Sequence, residues 1–128
     1  MNNSQPNLDR LAAERAQEII RRTSGKKAGD IDNTITKSLG VLQENGIYAC
    51  FLYLLAKEKE NSDVVVDEML SLLAGLGFGW DKPVNNSAEA VLKHITEKAT
   101  DDLERLLLAK ETLEQMLIYA RYGAKARD

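Results

Sequence analysis

The chain has 128 residues, 44% of them hydrophobic and 29% charged, which is the size and balance of one soluble globular domain and excludes a disordered chain. A net charge of -3 excludes a strongly basic, free-standing nucleic-acid binder. Cys50 is the only cysteine, so no internal disulfide can form, and its place in an apolar run makes it a buried, reduced thiol.

From the first residue, Met1 to Asn7 is polar and lacks the basic start and apolar stretch of a secretory signal; residues 1–7 are expected to be flexible. Asn7 can cap a first helix whose apolar residues Leu8, Leu11, Ala12, Ala16, Ile19 and Ile20 recur at helical spacing, ending near Ser24-Gly25. A second helix opens around Asp30 or Asp32, buries Ile31, Ile35, Leu39 and Leu42, and closes at Asn45-Gly46. Lys37 lies on its opposite face. The third segment, Ile47 to Glu60, is apolar nearly all round, which makes it the central helix of a bundle. Its longest mostly apolar run, Ile47 to Ala56, is about half the length a bilayer-spanning helix needs, so no membrane partner is expected.

Asn61-Ser62-Asp63 then caps a fourth helix with the stripe Val65, Val66, Met69, Leu70, Leu72, Leu73, Leu76. Gly75, Gly77 and Gly79 end it, and Asp81-Lys82-Pro83 extends the longest loop, to which Phe78 and Trp80 serve as anchors. Asn86 and Glu89 form a capping box for a fifth helix bearing Ala88, Val91, Leu92 and Ile95. Thr100, followed by Asp101 and Asp102 at the positive end of the helix dipole, opens a last and longest helix. Its stripe runs from Leu103 through Leu106, Leu107, Ala109, Leu113, Met116 and Leu117 to Ala120, and it ends about Tyr122-Gly123, leaving 123–128 as a frayed tail. No segment alternates as a strand does. The expectation is therefore all-α: one domain over 1–128, a compact bundle of about six helices with an apolar third helix at its centre.

Few residues invite chemistry. Gly75-Leu76-Gly77-Phe78-Gly79 follows a helix rather than a strand and has no Gly-Lys-Ser/Thr, so it reads as a loop and not a phosphate cradle. His94 is the only histidine and has no cysteine companions for zinc, which gives it a boundary or surface role. Asp101, Asp102 and Glu104 point to different sides of a helix. No catalytic residue, metal or cofactor is assigned. Tyr48, Phe51 and Tyr53, which could stack on bases, are placed in the core by their apolar helix. Arg15 and Lys110 fall inside apolar stripes, where a long side chain packs its stem and sends its head to water or a carboxylate, or else meets a partner. Residues 1–60 carry nine Lys/Arg against eight Asp/Glu, and 61–128 eight against twelve. Within that balance two stretches are basic: Arg21, Arg22, Lys26, Lys27, and Arg121, Lys125, Arg127.

Ile35-Thr36-Lys37-Ser38-Leu39, then the run from Leu42-Gln43-Glu44-Asn45-Gly46-Ile47 through Tyr48-Ala49-Cys50-Phe51-Leu52-Tyr53-Leu54-Leu55-Ala56-Lys57, resembles the signature of a known family. That family is the small helical subunit of type III-B, Cmr-type, CRISPR effector complexes. The ending Tyr119-Ala120-Arg121-Tyr122-Gly123-Ala124 is similar to the family's last helix. The resemblance implies a non-catalytic, cytoplasmic subunit in antiviral defence. Copies of it would stack along a backbone filament, and the partners would be other effector subunits with guide and target RNA. The RNA-facing residues expected from it are Arg21, Arg22, Lys26, Lys27, Lys37, Lys57, Lys110, Arg121 and Lys125, acting on phosphates while base pairing supplies specificity. Alternatives are the small subunit of the related type III-A complex and a helical protein-protein adaptor without nucleic acid. An enzyme would require a metal site assembled from scattered Asp, Glu and His94.

Overall fold

A computed structural model of the chain describes residues 7–57, 60–99 and 102–127, and within these six helices and no strand are found. The expected flexible start, apart from Asn7, lies outside the described residues. Helix α1 (Leu8–Arg22) opens as the sequence indicates, the Asn7 side chain accepting from the Arg10 backbone N–H at 3.0 Å. It stops at Arg22, where the Thr23 backbone N–H and hydroxyl both donate to the Ile19 carbonyl, at 3.1 and 2.7 Å.

Helix α2 (Ala28–Asn45) starts two residues before the expected Asp30, with Lys27 at the cap position and no side-chain cap bond. Gly46 ends it with φ 95°, a backbone conformation that costs a side chain dearly. Helix α3 (Ile47–Lys57) follows at once, and residues 58 and 59 of the expected third segment lie outside the described residues. Helix α4 (Glu60–Ala74) already includes Asn61-Ser62-Asp63 in its first turn, so these residues do not stand ahead of it as caps. Gly77 and Gly79 take φ 87° and 81° in the loop after it. There Trp80 is buried and meets Phe78 edge to face at 4.9 Å, so the aromatic pair does anchor the loop.

Helix α5 (Ala88–Lys98) is capped by Ser87, whose hydroxyl accepts from the Ala90 N–H at 3.2 Å. Asn86, expected in that role, instead donates its side-chain amide to Asp67 at 3.1 Å, which ties the loop to α4. Helix α6 (Leu103–Arg127) has Asp102 accepting from the Arg105 N–H at 3.2 Å, while Thr100 and Asp101 lie outside the described residues. It runs on to Arg127, so the expected frayed tail is helical through that residue. The physical reason is packing: Ala120 and Ala124 are fully buried, and a Cβ on Gly123 would lie 2.9 Å from Ile20 Cγ1, so the absent side chain lets α1 approach closely.

Helix α6 lies between α1 and α2 and also touches α4; α1 packs on α4 as well. It runs parallel to α1, since Arg127 reaches the Ile20 carbonyl, and antiparallel to α2, since Lys110 meets Gln43 while Lys125 meets Asp32. Helix α3 is in contact with α2, α4 and α5 and buries Ile47, Cys50, Phe51 and Leu54. Its remaining face is not covered: Tyr48 and Leu52, one turn apart, are each nearly half exposed. Phe51 is in the core as expected, Tyr53 is half-buried, and Tyr48 is not a core residue. Three neighbours cannot close around a helix that has four apolar sides.

Candidate nucleic-acid interface

Two basic stretches a hundred residues apart in sequence meet at one end of the bundle. The join is made by Arg127, whose guanidinium donates to the Ile20 carbonyl at 3.0 Å and the Lys26 carbonyl at 3.2 Å. Thr23 Oγ1 is 3.4 Å from the same group. These acceptors lie at the C-terminal end of α1 and in the turn that follows, where carbonyls have lost their helical partners and carry partial negative charge. A cation there stabilises α1 and fixes the end of α6 beside the α1–α2 turn. Arg21, Arg22, Lys26, Lys27, Arg121, Lys125 and Arg127 consequently share one end.

Most of these cations are already engaged. Arg21, exposed, forms a two-pronged pair with Glu18 one turn back, at 2.7 Å from Nη2 and 3.1 Å from Nε. That contact raises the arginine's pKa and holds the Glu18 carboxyl below its ordinary range. Lys125 lies 3.2 Å from Asp32, and Arg121 Nε is 3.8 Å from the same carboxylate, beyond hydrogen-bond distance. The Lys125 contact is the largest influence holding the Asp32 carboxyl below its usual range. Lys27 is exposed, as is Lys26. Among the described residues Glu18, Asp30, Asp32, Asp67 and Glu68 stand against the seven cations, so they give this end a modest positive surplus rather than a strong field.

Arg22 belongs to a different arrangement. Its Nη1 donates to Asp67 Oδ2 at 2.6 Å and to Glu68 Oε2 at 2.8 Å, and Arg15 Nη1 reaches Glu68 Oε1 at 2.8 Å. Glu68 is buried, and two arginines of α1 grip its two oxygens from across the α1–α4 contact. The hydrogen bonds to Glu68 and Asp67 raise the Arg22 pKa. For Asp67 burial is the largest single influence and pushes the pKa up, yet the bonds from Arg22 and Asn86 together prevail and lower it. Arg15 thus follows the expectation of a packed stem with a head on a carboxylate. The carboxylate itself was invisible beforehand, because Glu68 sits among the apolar residues of α4 with no sequence sign that it turns inward.

Three expected contacts stand apart from the basic end. Lys110 donates to the Gln43 carbonyl at 3.3 Å, near the C-terminus of α2, with Glu114 at 3.9 Å. It thus complements that helix end. From Lys110 to Lys125 along α6 is about 22 Å. Lys57 lies over the Tyr53 ring, 5.0 Å from its centroid, at the end of α3. Lys37 is exposed on α2. Arg127 was part of the basic stretch but outside the expected set; its terminal position gave no sign that it caps another helix.

No group of three or more His, Cys, Asp or Glu capable of holding a metal ion occurs among the described residues. His94 is half-buried beside Lys82, Pro83, Val84, Lys93 and Glu97 in an open cleft of about 240 Å³. The Cys50 thiol is buried, donates to the Ser38 carbonyl at 3.4 Å, and is pushed up to about 12 by burial, so it is no nucleophile. A hollow of about 470 Å³ is an open, largely apolar groove between α1 and α6, lined by Ala13, Ala16, Gln17, Ile20, Arg21, Tyr119 and Gly123. No described helix is long and apolar enough to cross a membrane.

The fold and site define an all-helical bundle with one mixed-charge, cation-rich end. In comparisons with protein-family models, with curated proteins and with solved structures, nothing matches this chain.

Proposed function

We propose that the chain is a non-catalytic small subunit of a type III-B CRISPR ribonucleoprotein effector, acting in the cytoplasm and touching guide and target RNA through its basic end. The observation that carries this reading is the convergence of Arg21, Lys26 and Lys27 with Lys125 at one end of the bundle, supported by the residue signature around α2 and α3. A modest positive surplus suits a subunit that lines a channel already shaped by larger partners, where each phosphate contact adds a little and base pairing supplies sequence choice. Other effector subunits, and further copies stacked along the filament, would supply the rest of the groove.

Purification of the tagged chain from its own cells, with sequencing of the RNA that accompanies it, tests the reading. Guide RNAs in a multi-subunit particle are the expected result. The Arg21→Glu, Lys27→Glu variant of that particle should bind target RNA more weakly, the log-log salt slope falling by up to about one unit per lost contact. A stable partner set free of RNA would reject it in favour of a protein-protein adaptor. That second reading is favoured by the internal pairing of Arg22, Arg121 and Lys125 and by exposed leucines on α6.

A further inference from the structure

Helices α1 and α6 do not close against each other along their whole length. Ala13, Ala16, Gln17, Ile20 and Arg21 recur at helical spacing, within about 140° around α1. Together with Tyr119 and Gly123, one turn apart on α6, they line the open groove of about 470 Å³. The hollow exists because residues facing it are small: Ala13 and Ala16 carry only a methyl, and Gly123 has no side chain. Its volume falls within the range of small-molecule sites, about 300–1,000 Å³, which are lined by apolar groups and a few polar ones.

One contact sets the register across the groove. A Cβ on Gly123 would lie 2.9 Å from Ile20 Cγ1, and the two helices run parallel, so Tyr119 stands level with Ala16 one turn back. Tyr119 donates its hydroxyl to Asp9, which draws the ring back toward the start of α1 and fixes it alongside Ala13. Gln17 is exposed, and its side-chain amide makes no hydrogen bond among the described residues. Arg21 stands one turn further along α1, about 6 Å on. Glu18 holds its Nε and Nη2, and Nη1 is not part of that pair. Lys27, exposed at the start of α2, belongs to the same end.

In order along the groove come an aromatic ring, an apolar hollow, an amide with both a donor and an acceptor, and a cation. We propose that the groove holds one unstacked base of a single-stranded RNA, lying between Ala13 and the Tyr119 ring, with its polar edge on the Gln17 amide and its phosphate at Arg21. An alkyl chain would use the hollow and leave Gln17 and Arg21 without a role. A bare phosphate would use Arg21 and leave the hollow empty. Stacking tolerates any base, since each has a π-face, and an amide both donates and accepts, so the groove holds a base without choosing sequence. This site is part of the RNA contact proposed above and rests on it: Arg21 and Lys27 hold phosphates, and the groove adds a contact that releases no counterion.

NMR titration of the full, isotope-labelled chain tests it with two probes, an oligouridylate and an inorganic polyphosphate of matched charge. The oligouridylate should shift the resonances of Ala13, Gln17 and Gly123, the Gln17 side-chain amide included, whereas polyphosphate should shift only those around Arg21 and Lys27. Ala13→Leu, which fills the hollow from a half-buried position, should weaken oligouridylate binding at least about fivefold and leave its log-log salt slope unchanged. Gln17→Ala, at an exposed position, should weaken it too, with an unchanged circular dichroism spectrum. Identical shift patterns from the two probes would leave the phosphate contacts standing and overturn the base site. No shift from either probe would overturn both. Groove resonances that respond to protein concentration and not to oligouridylate would also overturn it, and would mark the groove as a protein-docking surface.

Discussion

Removing the buried carboxylate at Glu68 is the sharpest perturbation of this fold. In Glu68→Ala two charge-assisted hydrogen bonds of 2.8 Å are lost, one to Arg15 and one to Arg22. Bonds to charged groups contribute about 1.5–3 kcal/mol each, so the gross loss is about 3–6 kcal/mol. The two arginines are 29% and 31% exposed, whereas Glu68 is only 4% exposed, so both heads regain some water when released. That discount brings the expected cost to about 2–4 kcal/mol, close to what breaking a buried pair by deleting one partner involves. Urea denaturation followed by circular dichroism measures it directly, and a domain of this size should lose roughly 10 °C in Tm. Asp67→Ala is the control: its side chain is 33% exposed, and its loss should cost under about 1 kcal/mol. Arg15→Ala and Glu68→Gln, combined in a double-mutant cycle, should show coupling of about 1 kcal/mol or more. A Glu68→Ala cost no larger than that of Asp67→Ala would refute the reasoning, because Glu68 is the more buried of the two carboxylates and accepts from two arginines where Asp67 accepts from one and from Asn86.

Three further outcomes follow from the packing and the titrating groups. Gly40→Ala and Gly123→Ala should have opposite signs by thermal melting: nothing lies within 4 Å of a Cβ at Gly40, so about 0.5–1 kcal/mol is gained, while at Gly123 the contact with Ile20 Cγ1 outweighs the helical gain and about 1 kcal/mol is lost. Cys50 should react with an aromatic disulfide reagent at pH 8 only as fast as the protein opens, since burial holds the thiol up to about 12; prompt labelling of the native chain would contradict its position. Acid should destabilise the protein in a definite window. Glu18, Asp32 and Asp67 have folded pKa values below their ordinary 4.5, 3.8 and 3.8, so their contribution is complete above those values and is lost as pH falls through the depressed folded ones. Urea midpoints should therefore be level from pH 7 to about 5 and drop below about 4, and a midpoint that rises on acidification would contradict the sign.

The fold was legible because its signals are local. Asn7 as a cap, Gly46 at positive φ and the leucine spacing of α4 and α6 each act within one or two turns, and chain order alone conveys them. The failures occur where tertiary contact overrides a local preference. Asn86 has the better capping-box position, but Asp67 on a neighbouring element claims its amide and the cap passes to Ser87. Gly123 looks like a helix terminus until Ile20 is known to need the space, and then it is the residue that lets α6 continue beside α1. Helix α3 shows the same limit from the other side: apolarity all round announces burial, yet the packing of α2, α4 and α5 on it leaves Tyr48 and Leu52 nearly half exposed.

Charge follows the same logic and decides how the basic end should be probed. Arg21 and Arg22 are adjacent and look equivalent as phosphate ligands, but their surroundings give them different jobs. Arg22 reaches back to Glu68 and Asp67, so reversing its sign would place like charge against like at the α1–α4 contact and leave two carboxylates facing a third. Such a variant reports on folding before it reports on RNA. Arg21 reaches only Glu18, an exposed neighbour on its own helix, and Lys27 is exposed at the start of α2. Reversing these two leaves the clamp intact and alters only what a ligand or a second copy would meet. A simultaneous reversal of Arg21, Arg22, Lys26 and Lys27 would therefore mix loss of stability with loss of binding, and a weak RNA phenotype from it would carry no information about phosphate contacts. The Arg21 and Lys27 pair, measured beside Arg22→Ala for the stability term alone, separates the two effects.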